Sequence, residues 1–400
     1  MLPEVMKANG YATGMWGKWH SGVTNGYLPR DRGFDEAYKA RLYKHENTEG
    51  LYNGKSVAHQ GWADSIAVDY AIDFIRRNQE VGTPYFAFLP FLAPHGPIRA
   101  PEQSVEHFRQ QGLSENFATL AGMIHHLDRQ VGRLMEYLAQ QNQLENTMVI
   151  FLSDNGPQFM HGFLSEEEDQ LRNQTPHQGH KGNIWELGVK SPLFVSAPWL
   201  KPHQDSTLVT VQDLYPTLVE LAGGKFPENQ LPLDGLSLIP LLLGEDAAAF
   251  GQRTVVNFAS PGWGPTKEIP YTAEGREGEY DPIDRDSLQV DAQIISIYRS
   301  EHKFIMNAQK RDDQAEPPPY LQLFNYVKDP AEHSNLTNEQ LNLTKEMEDM
   351  ATNWIEEMKQ ESHSFASPVF KIRRSLLENV IKANAPVAKS PKPEKYRHRS

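Results

Sequence analysis

Apolar positions along the chain switch repeatedly between helical and strand spacing. Residues 2–9 carry a short helical pattern, which Gly10 closes as a C-terminal glycine. "YATGMWGKW" then predicts a strand opening into a loop. "SIAVDYAIDFIRRN" (65–78) has helical periodicity, and the apolar strand "PYFAFLPFLA" (84–93) runs from it into the proline-rich loop "PHGPIRAP". The clearest helix follows, with Leu120, Met123, Ile124, Leu127, Val131, Leu134, Met135 and Leu138 at steps of three and four. "MVIFLSDNG" is a continuous apolar run of the kind buried on both faces of a parallel sheet. It ends in Asp154, Asn155 and Gly156. After a polar, disorder-leaning stretch (158–180), "KGNIWELGVKSPLFVSAP" supplies another strand and "TVQDLYPTLVELAGG" a helix.

Strands alternating with helices predict an α/β fold with a mainly parallel central sheet flanked by helices. Ligands in such sheets bind beyond the C-terminal strand ends. His95, the Asp154–Asn155 pair and Lys18–His20 all follow strands, so separate segments deliver polar groups to one edge. The texture changes after about residue 250. "TVVNFAS", "QIISIYRS", "KFIMN" and "LQLFNYV" read as short strands, with a hairpin at "SEH" and a helix over roughly 338–360. This predicts an α/β unit over 1–250 and a C-terminal antiparallel α+β subdomain over 251–365. A largely disordered tail over 366–400 and an acidic loop at 264–290 complete the plan.

Composition narrows the chemistry. The 400 residues have a formal net charge of -13, which argues against nucleic acid and anionic membranes as general partners. No apolar run approaches the roughly 18 residues of a membrane span. Cysteine is absent, so there is no disulfide, thiolate zinc site or thiol nucleophile. A metal would need oxygen or imidazole ligands, which favours a hard cation such as Ca²⁺ or Mg²⁺. The first residues lack the basic region and apolar core of an export signal, so no compartment is read from them.

Each polar candidate alone has two readings. Lys18 and His20, two apart on a strand, face one side and suit an anion; they equally suit a surface lysine and a structural histidine. Asp154 and Asn155 at a strand end suit a cation, or a turn or helix cap. His95 between prolines suits proton transfer or anion binding, or an ordinary loop. Lys181 in "GHKGNIWELG" suits an anion, or solvent.

Taken in order, these segments form a pattern. "GYATGMWGKWH" resembles the second signature of the sulfatases, formylglycine-dependent enzymes of the alkaline phosphatase superfamily. "FLAPHGPIRAP", "HLDRQVGRLMEYL", "VIFLSDNGP", "HKGNIWELGVKSPLFVSAPW", "VQDLYPTLVELAG", "LPLDGLSLIPLL" and "LQLFNYVKDPAEHSNL" continue the resemblance in family order, over residues 1 to about 345. It implies an alkaline phosphatase-like fold and a sulfuric ester hydrolase acting on a sulfated sugar or aryl sulfate. Lys18 and Lys181 would hold sulfate oxygens, His20 would contact the formylglycine hydrate, and His95 would assist the leaving oxygen. Asp154 and Asn155 would supply part of a Ca²⁺ site.

The chain departs from the pattern at its start. The family's C/S-x-P-S/A-R motif and its upstream Asp pair precede the GKWH-like segment, yet only seventeen residues precede Lys18. The nucleophile, its arginine, half of the metal site and the first sheet strand are not found. The expectation is an N-terminally truncated catalytic domain with unpaired sheet edges, inactive alone. Two other readings stand beside it. One is a phosphonate or phosphodiester hydrolase of the same superfamily; the other is a catalytically dead relative that binds sulfated glycans. Trp16, Trp19 and Trp263 suit sugar stacking, although core packing is the expectation for the first two.

Overall fold

Gly10, with φ +87°, ends the first helix where the sequence places its stop, so α1 spans Leu2–Ala8. The computed structural model describes residues 1–22, 26–158, 162–172, 174–228, 230–245, 248–259, 271–272, 275–276, 293–310 and 314–358. Trp263, most of the 264–290 loop and the 366–400 tail lie outside the described residues.

Strand β1 (Ala12–Gly17) alternates between two cores. Met15 joins Trp19, Phe34, Ala37 and Phe86 on one face. Trp16 points the other way, to Tyr38, Ala40 and a helix. Strand β2 (Glu36–Ala40) lies parallel to β1, and β3 (Glu49–Tyr52) and β4 (Lys55–Ala58) extend it as antiparallel edge strands. Helix α2 (Ala63–Glu80) crosses over this sheet. It buries Ala63, Ile66, Ala67, Ala71, Phe74 and Ile75, a stripe at three- and four-residue steps. It leads to β5 (Tyr85–Phe88), parallel to β1 on its other side. The sheet order is therefore β4-β3-β2-β1-β5, a mixed sheet with a parallel centre. The apolar run at 84–93 gives only a four-residue strand because Pro90 cannot continue the ladder.

Helices α3 (Glu102–Arg109) and α4 (Glu115–Gln140) follow. They pack closely where Gly122 meets the backbone of Ser104 and Val105. Leu134, Met135 and Leu138 carry α4 onto the α2 core. Strand β6 (Val149–Leu152) differs from expectation. It pairs antiparallel with β7 (Leu193–Ser196) in a separate ribbon, and Phe151 is 42% exposed. Residue type alone marks an apolar strand; burial on both faces needs neighbours that the described residues do not supply. Among the described residues no strand pairs with the outer edge of β5, where Phe88 is also exposed.

Within the polar stretch 158–180, Glu166–Arg172 is a helix. Ser165 Oγ accepts from the Glu168 amide and Glu168 returns a bond to the Ser165 amide, a reciprocal cap written in the sequence as S-x-x-E. The C-terminal region forms a four-stranded antiparallel sheet of Leu321–Asn325, His302–Met306, Ile294–Arg299 and Thr254–Ala259. Its hairpin turns at Ser300, with φ +51°. A helix at 341–358 covers it with Met347, Ala351 and Ile355.

Candidate functional site

Gly17 sets the first arm of the site. Its φ is +137°, and a Cβ there would lie 2.2 Å from the Pro90 carbonyl oxygen. The Lys18 amide donates to that same oxygen at 2.6 Å. The end of β1 is thus locked against the chain leaving β5, an approach that requires glycine.

Lys18 and His95 then share one small cavity with Leu42, Tyr43, His45, Leu92 and Gly96. The cavity is small, with room for about one water molecule. His95 Nδ1 lies 2.8 Å from the Gly96 carbonyl, and its ring centre is 5.1 Å from that of Tyr43. If Nδ1 carries the proton in that bond, Nε2 is left for a ligand. Asp154 approaches from the end of β6, its Oδ2 3.9 Å from Lys18 Nζ. The Asp154 side chain is 72% exposed, so this pair adds little stability.

Asn155 Nδ2 donates to the Gly156 carbonyl at 2.7 Å. The Gly156 amide donates to the Gly188 carbonyl at 3.2 Å, and the Lys181 amide to the Pro157 carbonyl at 2.7 Å. The turn after β6 and the segment carrying Lys181 are therefore neighbours. His20 corrects the strand argument. β1 ends at Gly17, so strand alternation does not reach Lys18 and His20. His20 is exposed and is not among the residues lining the cavity with Lys18. Trp16 and Trp19 are core residues as expected; their indoles donate to Glu36 and to the Tyr27 carbonyl.

Asp154 and Asn155 offer oxygen donors suited to Ca²⁺, which takes about six to eight. Among the described residues no three His, Asp or Glu side chains converge to hold a metal. The described residues therefore do not fit a complete Ca²⁺ site.

Three sets of residues around the site are not singled out by the sequence. His45 is 3% exposed, and its imidazole faces the backbone of His95 and Gly96. Burial pushes its imidazole below the ordinary histidine range. Asp64, at the start of α2, accepts from the Leu92 amide at 3.1 Å. Burial raises its carboxyl to about 6 against these amide bonds.

The third set is a buried ionic cluster. Lys303 Nζ lies 2.6 Å from Glu332 and 3.4 Å from Glu186, and the Tyr298 hydroxyl donates to Glu186 at 2.6 Å. Burial raises Glu186, but Lys303 and Tyr298 outweigh it and hold the carboxyl below the usual range. At Glu332 burial prevails and the carboxyl is raised. Together with the bond from Trp185 Nε1 to the Gln309 carbonyl, this cluster ties the segment after Lys181 to the C-terminal sheet.

The chain is similar to known proteins in sequence and in fold. The profile of the family described as Sulfatase matches residues 1–224. Mouse arylsulfatase J (Mus musculus) is 29% identical over 255 residues, covering 59% of this chain and 41% of that protein. The chain likewise spans 46% and 59% of the next two curated relatives, so it matches about half their length. A crystal structure of Ps i-CgsB in complex with k-i-k-neocarrahexaose superposes with TM-score 0.67 at 24% identity, covering 92% of this chain and 79% of that one. The phosphonate monoester hydrolase of Agrobacterium radiobacter shares the fold at TM-score 0.54 and 16% identity, covering 90% and 80%.

Proposed function

Because the chain belongs to the sulfatase family, we propose that Lys18, Lys181 and His95 are the sulfate-holding part of a sulfuric ester hydrolase site. The observation that carries this reading is the meeting of three strand ends. Lys18 and His95 line one cavity, and Asp154 lies 3.9 Å from Lys18.

In this reading the two ammonium groups neutralise the sulfate oxygens, a charge stabilisation that grows as the ester bond breaks. With Nδ1–H held by the Gly96 carbonyl, His95 acts through Nε2, giving a proton to the bridging oxygen of the leaving alcohol from its imidazolium form and returning to the neutral Nδ1–H ring. His20 would contact the formylglycine hydrate of the family. Asp154 and Asn155 are the residues that the family resemblance assigns to a Ca²⁺ site, of which the described residues hold only this part. The roles of Lys18, Lys181 and His95 do not depend on it.

The 400 residues contain no cysteine and no Ser-x-Pro-x-Arg string. We infer that these 400 residues by themselves bind sulfate esters without turning them over. The proposed substrate class is a sulfated sugar; support comes from the neocarrahexaose bound to the similar Ps i-CgsB. The similarity to the phosphonate monoester hydrolase concerns the fold. Two lysines with His95 favour a sulfate monoester.

The test is to assay the purified chain on an aryl sulfate while measuring inorganic sulfate binding by calorimetry. Binding without turnover is expected. Turnover above the uncatalysed rate would overturn the inactivity of this polypeptide, and absence of binding would overturn the sulfate site.

A further inference from the structure

The loop that carries His95 has few ties of its own. The His95 amide donates to the Leu92 carbonyl at 3.0 Å, closing a short turn, and the His95 ring bonds back to Gly96. The Lys18 amide ties the chain at the Pro90 carbonyl, two residues before Leu92, and the His45 ring lies against the His95 and Gly96 backbone. The first turn of α2 holds the start of the turn itself. Asp64 is 4% exposed, and its Oδ1 accepts from the Leu92 amide in a buried bond of 3.1 Å. The Ala93 amide also faces this carboxylate. One residue earlier, the Ala63 amide donates to the His45 carbonyl at 2.8 Å. The same loop is held again where the Asn47 amide donates to the Gly61 carbonyl at 2.7 Å. Two consecutive residues of α2 thus grip the two loops that, with Lys18, enclose the cavity.

The choice of an aspartate here needs explaining. Among the described residues Asp64 makes no ion pair, although a buried, unpaired carboxylate is costly. A neutral side chain would be cheaper if only packing mattered. A carboxylate accepts from two adjacent amides at once, and the helix dipole favours its charge in the first turn of an 18-residue helix.

We propose that Asp64 is a positioning residue, whose buried carboxylate fixes the 92–96 turn so that His95 faces the cavity beside Lys18. This rests on the reading of His95 as a sulfate-site residue. Asp64 touches no substrate and acts through the backbone. Asp64→Ala leaves the Leu92 and Ala93 amides without an acceptor. Asp64→Asn keeps the shape and one acceptor oxygen, but turns an NH₂ group toward the second amide.

NMR on the full chain tests this, reading amide exchange at Leu92 and sulfate-induced shifts at Lys18 and His95. In the wild type, inorganic sulfate shifts both reporters. In Asp64→Ala, Leu92 exchange rises about tenfold or more relative to α4 amides, as expected for one lost buried hydrogen bond. The Lys18 response remains while the His95 response falls by about half or more, a split that lost stability alone would not produce. Asp64→Asn lies between, and decides the matter if the alanine variant does not fold. Unchanged Leu92 exchange, or Lys18 and His95 responses that fall together, overturns the proposal. A wild type that responds to sulfate at neither reporter instead removes the sulfate-site reading, and the Leu92 exchange still decides whether Asp64 holds the turn.

Discussion

At the scale of single residues, Gly17 shows why a motif letter is where it is. The sequence places it before Lys18 but not against Pro90, because that contact joins segments more than seventy residues apart. Gly17→Ala forces a Cβ into the Pro90 carbonyl at a φ that side chains rarely adopt. We expect a loss of about 2–4 kcal/mol in denaturant unfolding, with sulfate binding lost beyond the loss of stability. Lys303 presents the opposite case. In sequence it is one lysine in a strand, yet it is fully buried between Glu186 and Glu332. Lys303→Met leaves two carboxylates buried without a cation and should cost about 3–5 kcal/mol by the same measurement. A change below about 1 kcal/mol would show that the cluster is not closed in solution. Lys18, His95 and Asp154 are legible as candidates because they follow strands. Asp64, His45 and Lys303 are not, because their significance lies in partners distant along the chain.

At the scale of elements, periodicity is a sound guide to helices and a poor one to the ends and burial of strands. α2 and α4 appear within a few residues of their patterns, since a helix makes its backbone bonds within itself. β5 and β6 depend on neighbours, so the same apolar runs give short strands with an exposed side. The α2–α4 contact also carries a pH response. His126 on α4 lies against Trp62 and Ser65, and burial lowers its imidazole to about 4. Its neutral form is favoured in the folded state. The stability it contributes is therefore present above the unfolded value near 6.5, and is lost as pH falls toward 4. Asp64, raised to about 6, works with the opposite sign: its contribution is present at low pH and is lost as pH rises through 6. Unfolding free energies of His126→Gln and wild type between pH 7 and 4 should isolate the histidine. The variant curve should fall less steeply on acidification; parallel curves would rule out a depressed His126.

At the scale of the whole molecule, the candidate site draws on segments that rest on different sheets. The α2-backed mixed sheet supplies Lys18 and His95, and the β6 turn supplies Asp154 and Asn155. The segment with Lys181 rests on the C-terminal sheet through Trp185, Ile184, Ile305 and Phe324. Order along the chain makes the family legible, because eight segments follow one another in family sequence. The lateral pairing of β6 and the contact between the 180–189 segment and the C-terminal sheet are not legible, since neither leaves a periodic trace. The account's central claim is that separated segments form one sulfate-holding site. A sulfate titration of the isotopically labelled 400-residue chain, followed at Lys18, His95 and Lys181, tests it most directly. The account predicts that all three saturate on a single binding curve, and that Lys18→Ala weakens that curve about tenfold or more, as loss of one charge-assisted contact implies. Responses that saturate independently, or an affinity unchanged by Lys18→Ala, would contradict it.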